Sequence, residues 1–164
     1  AAPTARVFVS TARQPAVRAI KAWRERTSGQ VMLAAAGWDG GDVGACGGRT
    51  YTIIYRWRDA SFLTGNPNSA VDTVSGFEPL QAIPVWSASG IDVAEVTHAT
   101  LGPITLLAVA SAAAGAGGYR WASPVLRWAP GVYNPLVASS SGRFVLLQSI
   151  PTVGCAGVRT ISSA

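Results

Sequence analysis

Turn-forming residues interrupt this chain so regularly after Gly29 that a long helix cannot run through it. Glycine, proline, serine and asparagine recur between short runs of β-branched and aromatic residues. The runs follow one another at roughly the 8–12-residue spacing of sandwiches and barrels. Helical 3.6-residue periodicity fades over the same region, which predicts a mainly β chain: an antiparallel β-sandwich of about eight strands. The clearest strand is Thr50 to Arg58 (TYTIIYRWR), almost wholly β-branched or aromatic. Further strands are expected at Gln30 to Gly37, Leu80 to Ser87, Ile91 to Thr100, Ile104 to Ala110, Tyr119 to Trp128, Val132 to Val137, Arg143 to Ile150 and Gly157 to Ser162, with a short one at Ala5 to Ser10. Trp38 to Arg49 and Asp59 to Pro79 read as connections. Pro84, Pro103, Pro124, Pro130, Pro135 and Pro151 should fall at strand starts, edges or bends, because proline cannot donate to a ladder.

The exception lies ahead of Gly29. Pro15 to Thr27 predicts a short helix, with proline in the first turn. Ala16, Val17, Ile20 and Trp23 would form one apolar stripe, with Arg18, Lys21, Arg24 and Glu25 mainly on the other side. The expected division is a basic N-terminal helical arm over residues 1–28 and a β-sandwich body over residues 29–164.

Charge is distributed as unevenly as helix signal. Arg6, Arg13, Arg18, Lys21, Arg24 and Arg26 stand against Glu25 alone, so the first 26 residues carry the whole net charge of +5. The remainder balances seven arginines with seven acids. Only 13% of residues are charged and 49% are apolar, against about 25% charge in ordinary soluble domains. That shortfall means either a large buried fraction or an apolar surface that other subunits cover. The longest apolar run, Pro103 to Ala114, is well short of the roughly 20 residues a membrane-crossing helix needs.

No frame for catalysis stands out. His98 is the only histidine, with Asp92 and Glu95 near it in sequence, but no nucleophile elbow accompanies it. The expectation is therefore that the chain is not an enzyme and needs no cofactor. Asp39 and Asp42 sit in a glycine-rich stretch without the spacing of a calcium loop, and no metal site is expected. Cys46 and Cys155 are the only cysteines. They are either buried thiols or a disulfide closing a long loop, worth up to roughly 4–5 kcal/mol in the chain-entropy model. Arginine recurs beside tryptophan, as in Arg56-Trp57-Arg58 and Arg127-Trp128. Alternation on a strand puts Arg56 and Arg58 on one face and Tyr55 and Trp57 on the other. The expected arrangement is tryptophan in the core or an interface, with arginine outside.

Three stretches carry a family resemblance. Gly48 to Asp59 (GRTYTIIYRWRD), followed by Asn68 to Gly76 and then Pro84-Val85-Trp86, resembles the shell of jelly-roll coat proteins from small icosahedral plant RNA viruses. Ser141 to Leu147 (SGRFVLL) is similar to a late shell strand entered through a Ser/Gly turn. The resemblance implies a jelly-roll-like sandwich, self-assembly into a capsid shell, and a virion as the place of work. It also implies that the basic segment faces packaged nucleic acid, the RNA of such a genome. On charge alone, Arg13, Arg18, Lys21, Arg24 and Arg26 are the candidates for phosphate contact that does not depend on base sequence. The alternative is an exported bacterial β-domain, such as a pilus subunit or surface adhesin, stapled by Cys46–Cys155.

Overall fold

The computed structural model describes residues 16–38, 49–58, 76–111, 120–132, 142–153, 155 and 157–159. They form eight antiparallel strands in two four-stranded sheets, with no helix among them. β1 (Ala16–Arg24), β2 (Val31–Trp38), β3 (Arg49–Arg58) and β4 (Gly76–Trp86) make the first sheet, in that order. β5 (Ala88–His98), β6 (Gly102–Ser111), β7 (Arg120–Ala129) and β8 (Arg143–Val153) make the second. Both sheets are meanders in which each strand pairs with its neighbours in sequence.

This corrects two expectations. A jelly roll interleaves distant strands, and neither sheet does so. The N-terminal helix is also replaced: residues 16–24 are β1, paired antiparallel to β2 from Ala16–Trp38 to Arg24–Val31. The physical reason is that the segment satisfies both periods. Ala19, Lys21 and Trp23 alternate toward the interior, while Arg18, Ile20, Ala22 and Arg24 alternate outward and are exposed. Pairing along β2 then outweighs a helix propensity of a few tenths of a kcal/mol per residue.

One residue, Ser87, joins the sheets. Its φ of 39° lies in the left-handed region that non-glycine residues rarely enter. Ser89 follows as the extra residue of a bulge between Ala88 and Gly90. A bend with an adjacent bulge lets a strand leave one sheet and enter another. β5 consequently lies across β1 and β2 and touches β3, while β4 touches β6, β7 and β8. The sheets thus cross, rather than align, over a common core.

Met32, Ile54, Leu80, Leu107 and Val109 are the largest fully buried apolar side chains of that core. At one side, Trp128 and Trp23 both set ring edges against Phe144, with centroids 5.2 and 6.0 Å from it. β8 starts beside this cluster at Gly142, whose φ is +86° and where a Cβ would lie 2.6 Å from Trp128 Cζ2. Only glycine can enter the strand there.

Most strands fall where β-branched and aromatic residues cluster. The expected connection ending at Pro79 is shorter, because Gly76 to Pro79 already belong to β4. Pro79 and Pro84 lie on β4, an edge strand, and Pro151 on β8, another edge. The expected strands at Ala5 to Ser10 and over 133–137 lie outside the described residues, as does Pro135. Gly157, Val158 and Arg159 are irregular. This tail passes so close to β5 that a Cβ on Gly90 would lie 3.1 Å from Gly157 Cα. Ser89 Oγ donates to the Cys155 carbonyl over 2.5 Å and so ties the tail down.

Candidate nucleic-acid interface

The hairpin between β1 and β2 is built around a buried acid. Glu25 is 2% exposed. Its Oε1 accepts the Thr27 N–H at 2.9 Å, and its Oε2 accepts the Ser28 N–H and Oγ–H at 2.7 and 2.6 Å. Backbone bonds from Glu25 N to Gln30 O and from Gly29 N to Glu25 O close the turn. Burial pushes the Glu25 carboxyl up, but the donors from Ser28 and Thr27 outweigh it and leave it below its ordinary value. The acid is therefore ionised inside its own turn.

That turn fixes where the basic residues point. Arg18 and Arg24 alternate outward along β1, and Arg26 stands at the turn; all three are exposed. Six residues of strand separate Arg18 from Arg24, about 20 Å at 3.3 Å per residue. Arg24 Nη1 also donates to the Gly29 carbonyl at 2.6 Å. Lys21 faces the other way: its Nζ lies 2.7 Å from Asp92 Oδ1 on β5. Asp92 is 8% exposed and also accepts the Val93 N–H at 2.9 Å. An open cleft of about 540 Å³ lies here, and Arg159 of the tail reaches it as well. Arg13 lies outside the described residues. Of the five candidates the structure thus brings Arg18, Arg24 and Arg26 to one margin and turns Lys21 to a structural ion pair.

The face beside that margin was not visible in the sequence. On β2 the outward file is Val31, Leu33 and Ala35; on β3 it is Tyr51, Ile53, Tyr55 and Trp57, with Tyr55 only 6% exposed; on β4 it is Phe77, Pro79, Ala82 and Pro84. No charged residue stands among them. Ile20 and Tyr51 are 64% and 53% exposed, and Trp57 sets its ring edge against Phe77 at 5.1 Å. Arg18 and Arg24 border this apolar face along β1.

The expectation of arginine outside is overturned on β3. Arg56 and Arg58 follow Ile54 on the inner file, and both ion-pair with Glu78 of β4. Tyr55 and Trp57 take the outer face. On β7 the expectation holds, since Trp128 is in the core. Glu78 was the missing signal; it lay in the stretch read as a connection.

The other singled-out residues serve local structure. His98 Nδ1 accepts the Thr100 and Leu101 N–H groups at 3.2 and 3.4 Å and closes the β5–β6 turn. Cys155 is a free thiol 3.1 Å from the Gly157 carbonyl. Cys46, Asp39 and Asp42 lie outside the described residues. Among the described residues no three of His, Cys, Asp and Glu gather as metal ligands, and no helix is long and apolar enough to cross a membrane. No protein-family model matches the chain, and no curated protein and no solved structure matches it either.

Proposed function

We propose that this protein is a structural subunit that associates with copies of itself into a closed shell, as a capsid subunit does, and that Arg18, Arg24 and Arg26 meet the packaged nucleic acid, RNA in the first instance. The observation that carries the reading is the outward face of the first sheet. It is apolar across β2, β3 and β4 and bordered by arginine along β1. Large contiguous apolar surfaces are rare on monomers and common where subunits meet.

The edges argue for contact through faces. β1, one edge of the first sheet, carries Arg18, Lys21 and Arg24 and a bulge at Arg18. β8, one edge of the second, carries a bulge at Leu147 and Pro151. Charges, bulges and proline are the devices that block edge-to-edge pairing. Patches that meet copies of themselves close as dimers, and patches that meet a different patch close into rings when the rotation between subunits closes.

Sedimentation velocity on the native protein, with electron microscopy of the fastest species, tests the assembly. Closed particles of uniform size are expected, with an absorbance ratio that reports nucleic acid. A monomer that persists at tens of micromolar overturns the shell reading.

A further inference from the structure

β6 and β7 are hydrogen-bonded over only three residue pairs, Leu106–Arg127, Leu107–Leu126 and Ala108–Val125. Their outer neighbours behave differently: β5 stays paired with β6 as far as His98–Gly102, and β7 with β8 as far as Ala129–Arg143. The second sheet therefore opens between β6 and β7 toward the end that holds Gly102 and Ala129. A cleft of about 310 Å³ fills the opening, and the Glu25 turn of the first sheet closes its far wall. Leu101, Pro103, Ile104 and Pro130 give it apolar sides, and Trp128, 6% exposed, lies against its base.

Two charged groups line it, and they are not equivalent. Both Glu25 oxygens are taken by the N–H and O–H donors of Thr27 and Ser28, so they are already engaged within the turn. Arg127 is half-buried in the cleft wall and has no side-chain hydrogen bond or ion pair among the described residues. A guanidinium fork matches a carboxylate bidentately, and such a pair is stronger than a neutral hydrogen bond. Largely apolar walls with a few placed polar groups, here Arg127 with Thr27 and Thr105, are the usual make-up of a small-molecule site, and the volume falls at the small end of that class. At roughly 30 Å³ per water-sized group it holds on the order of ten non-hydrogen atoms.

We infer that this cleft binds a small organic carboxylate with an apolar, ring-sized body. The carboxylate sits on Arg127 and the body between Leu101, Pro103 and Pro130 above Trp128. The site shares the Glu25 turn with Arg26, but none of its lining residues belongs to the apolar face or to the arginine margin, so it stands or falls separately.

The test is a titration of the full chain with phenylacetate and with its neutral isostere phenylacetamide, followed by amide chemical shifts and by calorimetry. Saturable binding of phenylacetate is expected, with shifts confined to Leu101, Thr105, Arg127 and Trp128. Phenylacetamide should bind at least tenfold more weakly, and Arg127→Gln should lose at least tenfold for the acid and little for the amide. Leu101→Trp, at an exposed position where folding is safe, should block both by filling the cleft. Equal affinity for acid and amide overturns the carboxylate assignment. So does indifference of the acid to Arg127→Gln in a variant whose melting temperature is unchanged. No saturable binding of phenylacetate at 10 mM, roughly the weak end for a ligand of this size, overturns the site itself.

Discussion

A carboxylate as buried as Glu25 can stay ionised only because three donors of its own turn converge on it. Glu25→Gln replaces one acceptor oxygen with an NH₂ group and sets it against a Thr27 or Ser28 donor. The expected cost is about 1–3 kcal/mol, the penalty for unsatisfied buried polar groups. The pH dependence has a definite sign. The folded carboxyl titrates below its ordinary 4.5, so its contribution is fully present above that value and is lost as pH falls through the lower folded value. Thermal melts between pH 3 and 7 should show wild type losing stability in that acid window more steeply than Glu25→Gln. Parallel curves for the two proteins would show that Glu25 is not the group responsible. A second residue, Lys21, separates structure from recognition. Lys21→Ala removes the partner of buried Asp92 and should destabilise by about 1–3 kcal/mol while leaving nucleic-acid retention unchanged. Urea unfolding and the absorbance ratio of purified material check the two halves. Equal net charge made Lys21 indistinguishable from Arg18 or Arg24 in the sequence; only the register of β1 separates them.

β1 is the element on which sequence reading and structure part. As a helix its apolar stripe would include both Ile20 and Trp23. As a strand it places Trp23 against Phe144, partly buried, and leaves Ile20 64% exposed. Trp23→Ala should therefore cost about 2–4 kcal/mol, as a large aromatic lost from a core edge does. Ile20→Ala should stay within about 0.5 kcal/mol, the range of surface substitutions. Comparable losses at both sites in denaturant unfolding would restore the helix. The strand was illegible because its inner file reads Ala19, Lys21, Trp23, and a lysine at the middle position hides the alternation. β3 had no such interruption. Thr50, Thr52 and Ile54 alternate inward against Tyr51 and Ile53, with β-branched residues throughout, and the strand was read to within one residue. The sequence reading of β4 falls four residues short at the end away from Ser87, Gly76 to Pro79, because glycine, glutamate and proline there look like loop chemistry. Those residues are tolerated because β4 is an edge.

At the scale of the whole molecule, composition announced an apolar surplus but could not say where it lies. Pairing order decides that, and strand order is fixed by contacts far apart in sequence. Once the first sheet is a meander with Ser87 at its corner, its inner face meets the second sheet and its outer face is left apolar. The assembly reading then makes a prediction that divides face from margin. Ile20→Glu with Tyr51→Glu puts two charges on exposed positions of that face. Both positions lie outside the core, so the melting temperature should hold, while sedimentation shifts from particles to monomer. Arg18, Arg24 and Arg26 replaced together by alanine should do the converse: particles persist, but nucleic acid is lost from them. For the soluble subunit, three phosphate contacts removed should lower the log–log salt slope of binding by about 2 to 3, at 0.7–0.9 per contact. Base sequence should not matter, since phosphate contact carries no sequence information. An arginine triple variant that keeps wild-type nucleic acid and the wild-type salt slope would remove the margin from the interface. A glutamate pair that still forms particles would move the subunit contact to another face.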